Sequence, residues 1–196
     1  MQLRRSDVVG KALNLLDEYG IADLTMRRLA RELGVSPGAL YWHFADKQEL
    51  LGAVADRILG PAVRESDEAE WPDRIHDICR LLRDALLSTT DGAELVSATL
   101  ATGKSSALGT VLNHLTAAAS TAGVDAERAG LVARTIIHYV LGFTADEQSR
   151  IQWDAAGALS EDQSVLNEDP TARFAFGLDL LVTGVAHVPA TRQLNR

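Results

Sequence analysis

LTMRRLARELGVSPGALYWHFADKQELL, residues 24–51, is the stretch from which the rest of the chain is read. Ala30, Gly34 and Leu40 have the spacing of a helix-turn-helix. Ala30 is small where a second helix crosses, Gly34 tolerates positive φ in the turn, and Leu40 anchors the second helix. Ser36-Pro37 restarts the helix, with Ser36 as N-cap and Pro37 at the first helical position. Leu40 and Phe44, four residues apart, share the inward face of a predicted two-turn helix and leave Tyr41, Trp42 and His43 outward. Three polar-edged rings on the exposed side of so short a helix mark a surface that something covers.

Outward from this stretch, the pattern stays helical. Ser6 caps a first helix to about Tyr19, with Val8, Val9, Ala12, Leu13 and Leu16 at helical spacing and Gly20 as its stop. Met1–Arg5 is either a solvated terminus or, through Arg4 and Arg5, a phosphate-contacting arm. Thr25 caps the second helix, whose buried side holds Leu29 and Leu33. Asp46 and Glu49 form a capping box for a fourth helix, about residues 46–60, bent or ended by Gly60-Pro61. Residues 1–48 thus form a three-helix headpiece, and the fourth helix leads out of it to residues 61–196.

Glu65–Glu70 is an acidic linker, and Trp71-Pro72 opens a helix with the buried stripe Ile75, Ile78, Leu82, Ala85 and Leu86. Thr89–Gly92 reads as a turn before a helix to about Ala101. A Gly/Ser break at 103–106 precedes a helix over 107–121 that holds Asn113 and His114. Asp125 caps a long helix to about Trp153, residues 154–169 read as an acidic loop, and Asp169-Pro170 starts a last helix that Pro189 ends. The long helix and the last one are too apolar for one shallow contact. They are either buried within the monomer or, as we favour, paired with a second copy across a two-fold axis. Gly177 and Gly184 leave room for another helix to approach.

Composition excludes several classes. Apolar residues at 46% support a substantial core, while aromatics at only 5% and many Ala and Leu favour an all-α fold over β-sandwiches. No window of 18 apolar residues exists, so no membrane partner is expected, and Met1–Asp7 is too polar to begin a signal peptide. The single Cys79 rules out an intramolecular disulfide framework and a Cys-rich zinc site, which makes a cytoplasmic location the expectation. The net charge of −8 argues at first against a polyanionic partner. Residues 1–57, however, hold eight Lys/Arg against eight Asp/Glu, so the acidity lies entirely in the second part.

The motif L-T-x-R-x-L-A-x-x-L-G-V-x-x-x-x-L-Y-W-H-F-x-x-K-x-x-L-L resembles the tetracycline-repressor (TetR) family of transcriptional regulators, most strongly over residues 6–59. The LYWH run, D-G-A at 91–93 and I-H-Y-V-L-G at 137–142 resemble the tetracycline-repressor branch in particular. The resemblance implies an all-helical homodimer, joined through helices about 126–153 and 170–187, with an N-terminal DNA-binding headpiece and a C-terminal effector domain. It places Arg27 on a base edge, where an arginine pairs bidentately with guanine and discriminates by roughly 1–3 kcal/mol. Ser36, Pro37, Gly38 and Ala39 fall at the start of the recognition helix, the small ones suited to thymine methyls. Tyr41, Trp42, His43, Thr25 and Lys47 fall against the sugar-phosphate backbone.

The second part departs from the tetracycline-binding pattern. Where that branch has a metal-ligating His after D-G-A, this chain has Val96, and positions of other polar drug contacts read Val63, Ile78 and Leu82. His138 remains, Asp146 stands near an acidic position, and Thr99, Asn113, His114 and Phe143 complete the candidate lining. The implied pocket is mostly apolar and suits a lipophilic small molecule, with no metal and no cofactor. Asp146 and Glu147 point about 100° apart on a helix and do not form an acid/base dyad. The expectation is a repressor released from a palindromic double-stranded operator by a small lipophilic effector, and not an enzyme. The alternatives are a small-molecule enzyme or sequestering binder, and a constitutive regulator without ligand.

Overall fold

The computed structural model describes residues 3–160 and 169–188. Pro189, the terminal Met1 and part of the expected acidic loop lie outside the described residues. Among those described, all regular structure is helical, as the all-α expectation holds. The elements are α1 (Arg5–Tyr19), α2 (Met26–Glu32), α3 (Pro37–Tyr41), α4 (Lys47–Leu59), α5 (Trp71–Leu87), α6 (Gly92–Leu100), α7 (Ser106–Thr121), α8 (Ala126–Ala155) and α9 (Pro170–Ala186), with 3-10 turns at Ile21–Asp23 and Gly60–Ala62.

Local chemistry accounts for most boundaries. Side-chain oxygens of Thr25, Asp46, Ser105, Asp125 and Asp169 accept from backbone amides at the starts of α2, α4, α7, α8 and α9. Two boundaries differ from the sequence expectation. α1 begins at Arg5 rather than after Ser6, because the Asp7 carboxylate accepts the Arg4 amide at 3.0 Å and satisfies the helix start two residues earlier. α3 ends at Tyr41, since the amides of His43 and Phe44 both turn back to the Leu40 carbonyl, at 2.9 and 3.0 Å. Trp42 and His43 therefore stand in the turn after α3 rather than on it, while Leu40 and Phe44 still share the buried side.

The core is continuous from Val8 in α1 to Val182 in α9. Leu50, Val54, Ala55, Ile58 and Leu59 put α4 inside it, so the fourth helix packs on α1 and equally on α6 and α7. Gly52 lets α4 lie directly on the Lys104 backbone, where a Cβ would overlap the carbonyl. One turn along, Asp56 accepts from Ser105 Oγ, Ser106 Oγ and Ala107 N at 2.8, 2.8 and 2.9 Å, fastening α4 to the start of α7.

A second fastening runs through the turn at 89–92. Asp91, the one non-glycine residue with positive φ among those described, accepts the Ile21 amide through Oδ2 at 2.9 Å and Gln152 Nε2 through Oδ1 at 2.7 Å. Asp17 in α1 accepts the Thr90 amide at 2.8 Å. Gln148 in α8 donates to the carbonyls of Leu86 and Thr89 and accepts from the Ala93 amide. The end of α1 and the C-terminal third of α8 are thus tied to the same turn and its flanks. Gly177 is also explained: Tyr139 of α8 fills the space beside it, so this glycine serves contact within the chain, and the Tyr139 hydroxyl donates to Phe174 O at 2.7 Å.

Candidate nucleic-acid interface

The headpiece surface is built by α2, the turn and α3. Thr25, Arg27, Ser36, Pro37, Gly38, Tyr41, Trp42 and Lys47 are exposed, and Ala39 and His43 are half-buried. Trp42 is 90% exposed and Tyr41 53%, large apolar areas left in water by a headpiece that buries Leu24, Leu29, Leu40 and Phe44 completely. The two adjacent arginines of α2 have opposite situations. Arg28 lies 3.8 Å over the Tyr19 ring and pairs with Asp23. Arg27 makes no hydrogen bond or ion pair among the described residues and stands free for a ligand. Lys47 opens α4, where the first-turn amides and the helix dipole also favour an anion. The Thr25 hydroxyl accepts from the Arg28 amide at 3.2 Å, which leaves its proton available to donate outward.

Arg5 belongs to this surface in a different way from the expected phosphate arm. Its Nη1 donates to His43 O at 2.5 Å and to Glu49 Oε1 at 2.8 Å, and its guanidinium covers the Phe44 ring at 4.0 Å. Glu49 Oε2 accepts the Ala45 amide at 2.8 Å. That amide first, and Arg5 second, hold the Glu49 carboxyl below its ordinary range.

The ten residues expected to line an effector pocket do not meet in one cavity. Ile78, Leu82, Val96 and Thr99 are at most 2% exposed and pack in the core, with the Thr99 hydroxyl donating to Val96 O at 2.7 Å. Val63 is half-buried against the same core, and Asn113 is exposed on α7. His114 is half-buried with its Nδ1 shielded and unpaired. His138 is exposed above an open groove of about 630 Å³ with Leu141, Gly142, Ala145 and residues of α6. Phe143 and Asp146 line a separate, largely apolar cavity of about 170 Å³ with Glu147, Arg150, Ile151, Pro170 and Arg173. At Ile78, Leu82 and Val96 the apolar side chains meet neighbouring helices rather than empty space.

Sequence reasoning missed the group that walls this cavity. Arg83, 6% exposed, forms a bidentate pair with Glu147 and faces a groove of about 520 Å³ between α5 and α9 on its other side. Its guanidinium lies 5.1 Å from the Phe174 ring, which with Tyr139 and Phe143 forms an aromatic cluster at 5.4–5.8 Å. Burial raises the Tyr139 pKa. The available signal was a charge on each apolar stripe: Arg83 four residues after Cys79, and Glu147 seven after Val140. Among the described residues no three His, Cys, Asp or Glu side chains form a metal-holding group, and no helix is long and apolar enough to cross a membrane.

Comparison with known proteins agrees with this geometry. Residues 9–54 match the model of bacterial regulatory proteins of the tetR family, and residues 65–168 match the tetracyclin repressor-like C-terminal domain. The crystal structure of Mycobacterium smegmatis BioQ is 58% identical, covers 94% of this chain and 98% of its own, and superposes with a TM-score of 0.87. A crystal structure of BioQ with its natural double-stranded DNA operator is 54% identical, covers 95% and 99%, and gives 0.82. The class E tetracycline repressor of Escherichia coli is 30% identical over 93% of this chain and 90% of its own length. The chain belongs to the tetR family of bacterial regulatory proteins and is a DNA-binding transcriptional regulator.

Proposed function

We propose that the protein represses transcription as a homodimer on a palindromic operator and leaves it when a small lipophilic molecule binds the second part of the chain. One observation carries this reading: Trp42 stands almost bare and Tyr41 half exposed on the same helix-turn-helix headpiece as an unpaired Arg27 and Lys47. In this reading Arg27 reads a base edge. Pro37, Gly38 and Ala39, with Ser36 before them, face the bases through small surfaces. Thr25, Tyr41, Trp42, His43 and Lys47 hold phosphate register. The solved BioQ–operator complex, at 54% identity, supports the assignment.

Residues 1–48 read DNA, residues 61–196 bind effector and dimerise, and α4 transmits between them. Leu131 on α8 and Phe176 and Leu180 on α9 are 61–66% exposed, an apolar face that suits a copy of the same two helices. Two headpieces then enter successive major grooves about 34–36 Å apart. The effector belongs in the cavity of Phe143 and Asp146, and near-complete switching requires it to prefer the released state by about 5.5 kcal/mol. The helical part senses and does not catalyse, and the protein works in the cytoplasm beside the chromosome.

Selection from random duplexes by the purified chain tests the reading. A palindromic site should emerge, and Arg27→Ala should lose specific binding more than non-specific binding at fixed salt. Equal loss on both would reduce Arg27 to a phosphate contact. Failure to enrich any duplex would end the repressor reading.

A further inference from the structure

The DNA-facing helix α3 is five residues long, under two turns, and cannot hold its own geometry. Its N-terminal end is fixed by the turn from α2, where Val35 N donates to Ala30 O at 3.0 Å. Its exit is fixed from outside. His43 O and Ala45 N have no helical partner in the turn, and they are taken by Arg5 from α1 and Glu49 from α4. These two side chains are themselves paired at 2.8 Å, and the Glu49 amide donates to Asp46 at 2.7 Å. With the Arg5 guanidinium flat on Phe44, the residues from His43 to Ala45 are held on three sides.

We propose that Arg5 and Glu49 are positioning residues for operator binding: their pair sets the exit of α3, and through it the places at which Tyr41, Trp42 and His43 meet the sugar-phosphate backbone. The inference rests on α3 being the DNA-facing helix. Neither residue needs to touch DNA. Arg5 commits its Nη1 to a carbonyl and a carboxylate, and Glu49 carries the wrong charge for a phosphate contact.

The sign of one substitution separates this from plain electrostatics. Removing a carboxylate beside a phosphate-binding surface strengthens DNA binding on charge alone. If Glu49 positions the helix, removing its charge weakens binding instead. The experiment measures affinity of the full chain for the duplex it selects, over a range of salt, for Glu49→Gln, Arg5→Gln, Arg5→Lys and Trp42→Ala, with thermal melting of each sample. Glu49→Gln and Arg5→Gln should each weaken binding roughly five- to tenfold, a charged hydrogen bond discounted for partial exposure. Arg5→Lys should recover most of it, and the slope of log K against log salt should stay within about half a unit of the parent.

Arg5→Gln serves alone should Glu49→Gln melt below the assay temperature. Unchanged or tighter binding by Glu49→Gln overturns the proposal. So does an Arg5→Gln slope reduced by about one, which identifies a phosphate contact. If Trp42→Ala also binds like the parent, α3 is not the DNA-facing helix and the reading beneath the proposal fails. If Trp42→Ala weakens binding and the Arg5 and Glu49 variants do not, the proposal alone falls.

Discussion

Arg83 Nε and Nη2 donate to the two carboxylate oxygens of Glu147 at 2.9 and 2.6 Å, joining α5 to α8 with both side chains about nine-tenths withdrawn from water. A buried pair of this kind gives little net stability over an apolar replacement, yet breaking it strands a charge. Glu147→Ala should therefore lower the unfolding free energy by about 3–5 kcal/mol, and Arg83→Met with Glu147→Leu should restore most of that loss. Urea unfolding at neutral pH measures both. A double variant as unstable as the single one would show that the pair does more than satisfy itself.

Part of the response to acid should run through Glu49. Its carboxyl is held below the ordinary value of 4.5 by the Ala45 amide and then by Arg5, so the folded state binds the proton less well than the unfolded one. The stability this contributes is complete above the unfolded value and disappears as pH falls through the folded one. As pH falls through 4.5 and below, the parent should lose stability faster than Glu49→Gln, with the two curves parallel at higher pH. Parallel curves throughout would remove Glu49 from the acid response.

Cys79 offers a probe of opening. It is fully buried, and burial pushes its thiol far above the usual range, so the reactive thiolate is absent from the folded state. Iodoacetamide should leave the native protein unlabelled over a time in which the denatured chain takes up one label. Rapid native labelling would mean that the α5 core opens locally.

Gly177→Ala tests the seam between α8 and α9. A Cβ there would overlap the Tyr139 ring, and the forced shift should destabilise the fold by about 1–3 kcal/mol. Because the same two helices carry the exposed apolar face, dimer dissociation should rise with it, as sedimentation would show. Gly184→Ala, with nothing within 4 Å of the added carbon, is the matched control and should fold as well as the parent.

What could be read from the sequence was whatever acts within a few residues. Caps at Thr25, Asp46, Asp125 and Asp169 bind amides three positions ahead, so their signals are contiguous and the helices fell where expected. Arg5 was read only as a terminus or an arm because its partners lie 38 and 44 residues away. Arg83, 64 residues from Glu147, went unremarked on its apolar stripe, and Glu147 was weighed only beside its neighbour Asp146. The effector lining was the hardest to read. Ile78, Leu82 and Val96 are apolar both beside a void and against a helix, and periodicity does not distinguish the two.

The turn at Asp91 binds two distant positions into one unit of inheritance. Gly20 has φ +75°, and a Cβ there would come within 2.7 Å of Asp91 Oδ2, so any side chain at 20 both strains its own backbone and displaces the carboxylate that receives Ile21. Asp91, for its part, has a left-handed backbone and a side chain that accepts from Ile21 and Gln152. Neither residue is free to drift alone. Among relatives that lose the acid at the second position, the glycine at the first should be under the backbone constraint only.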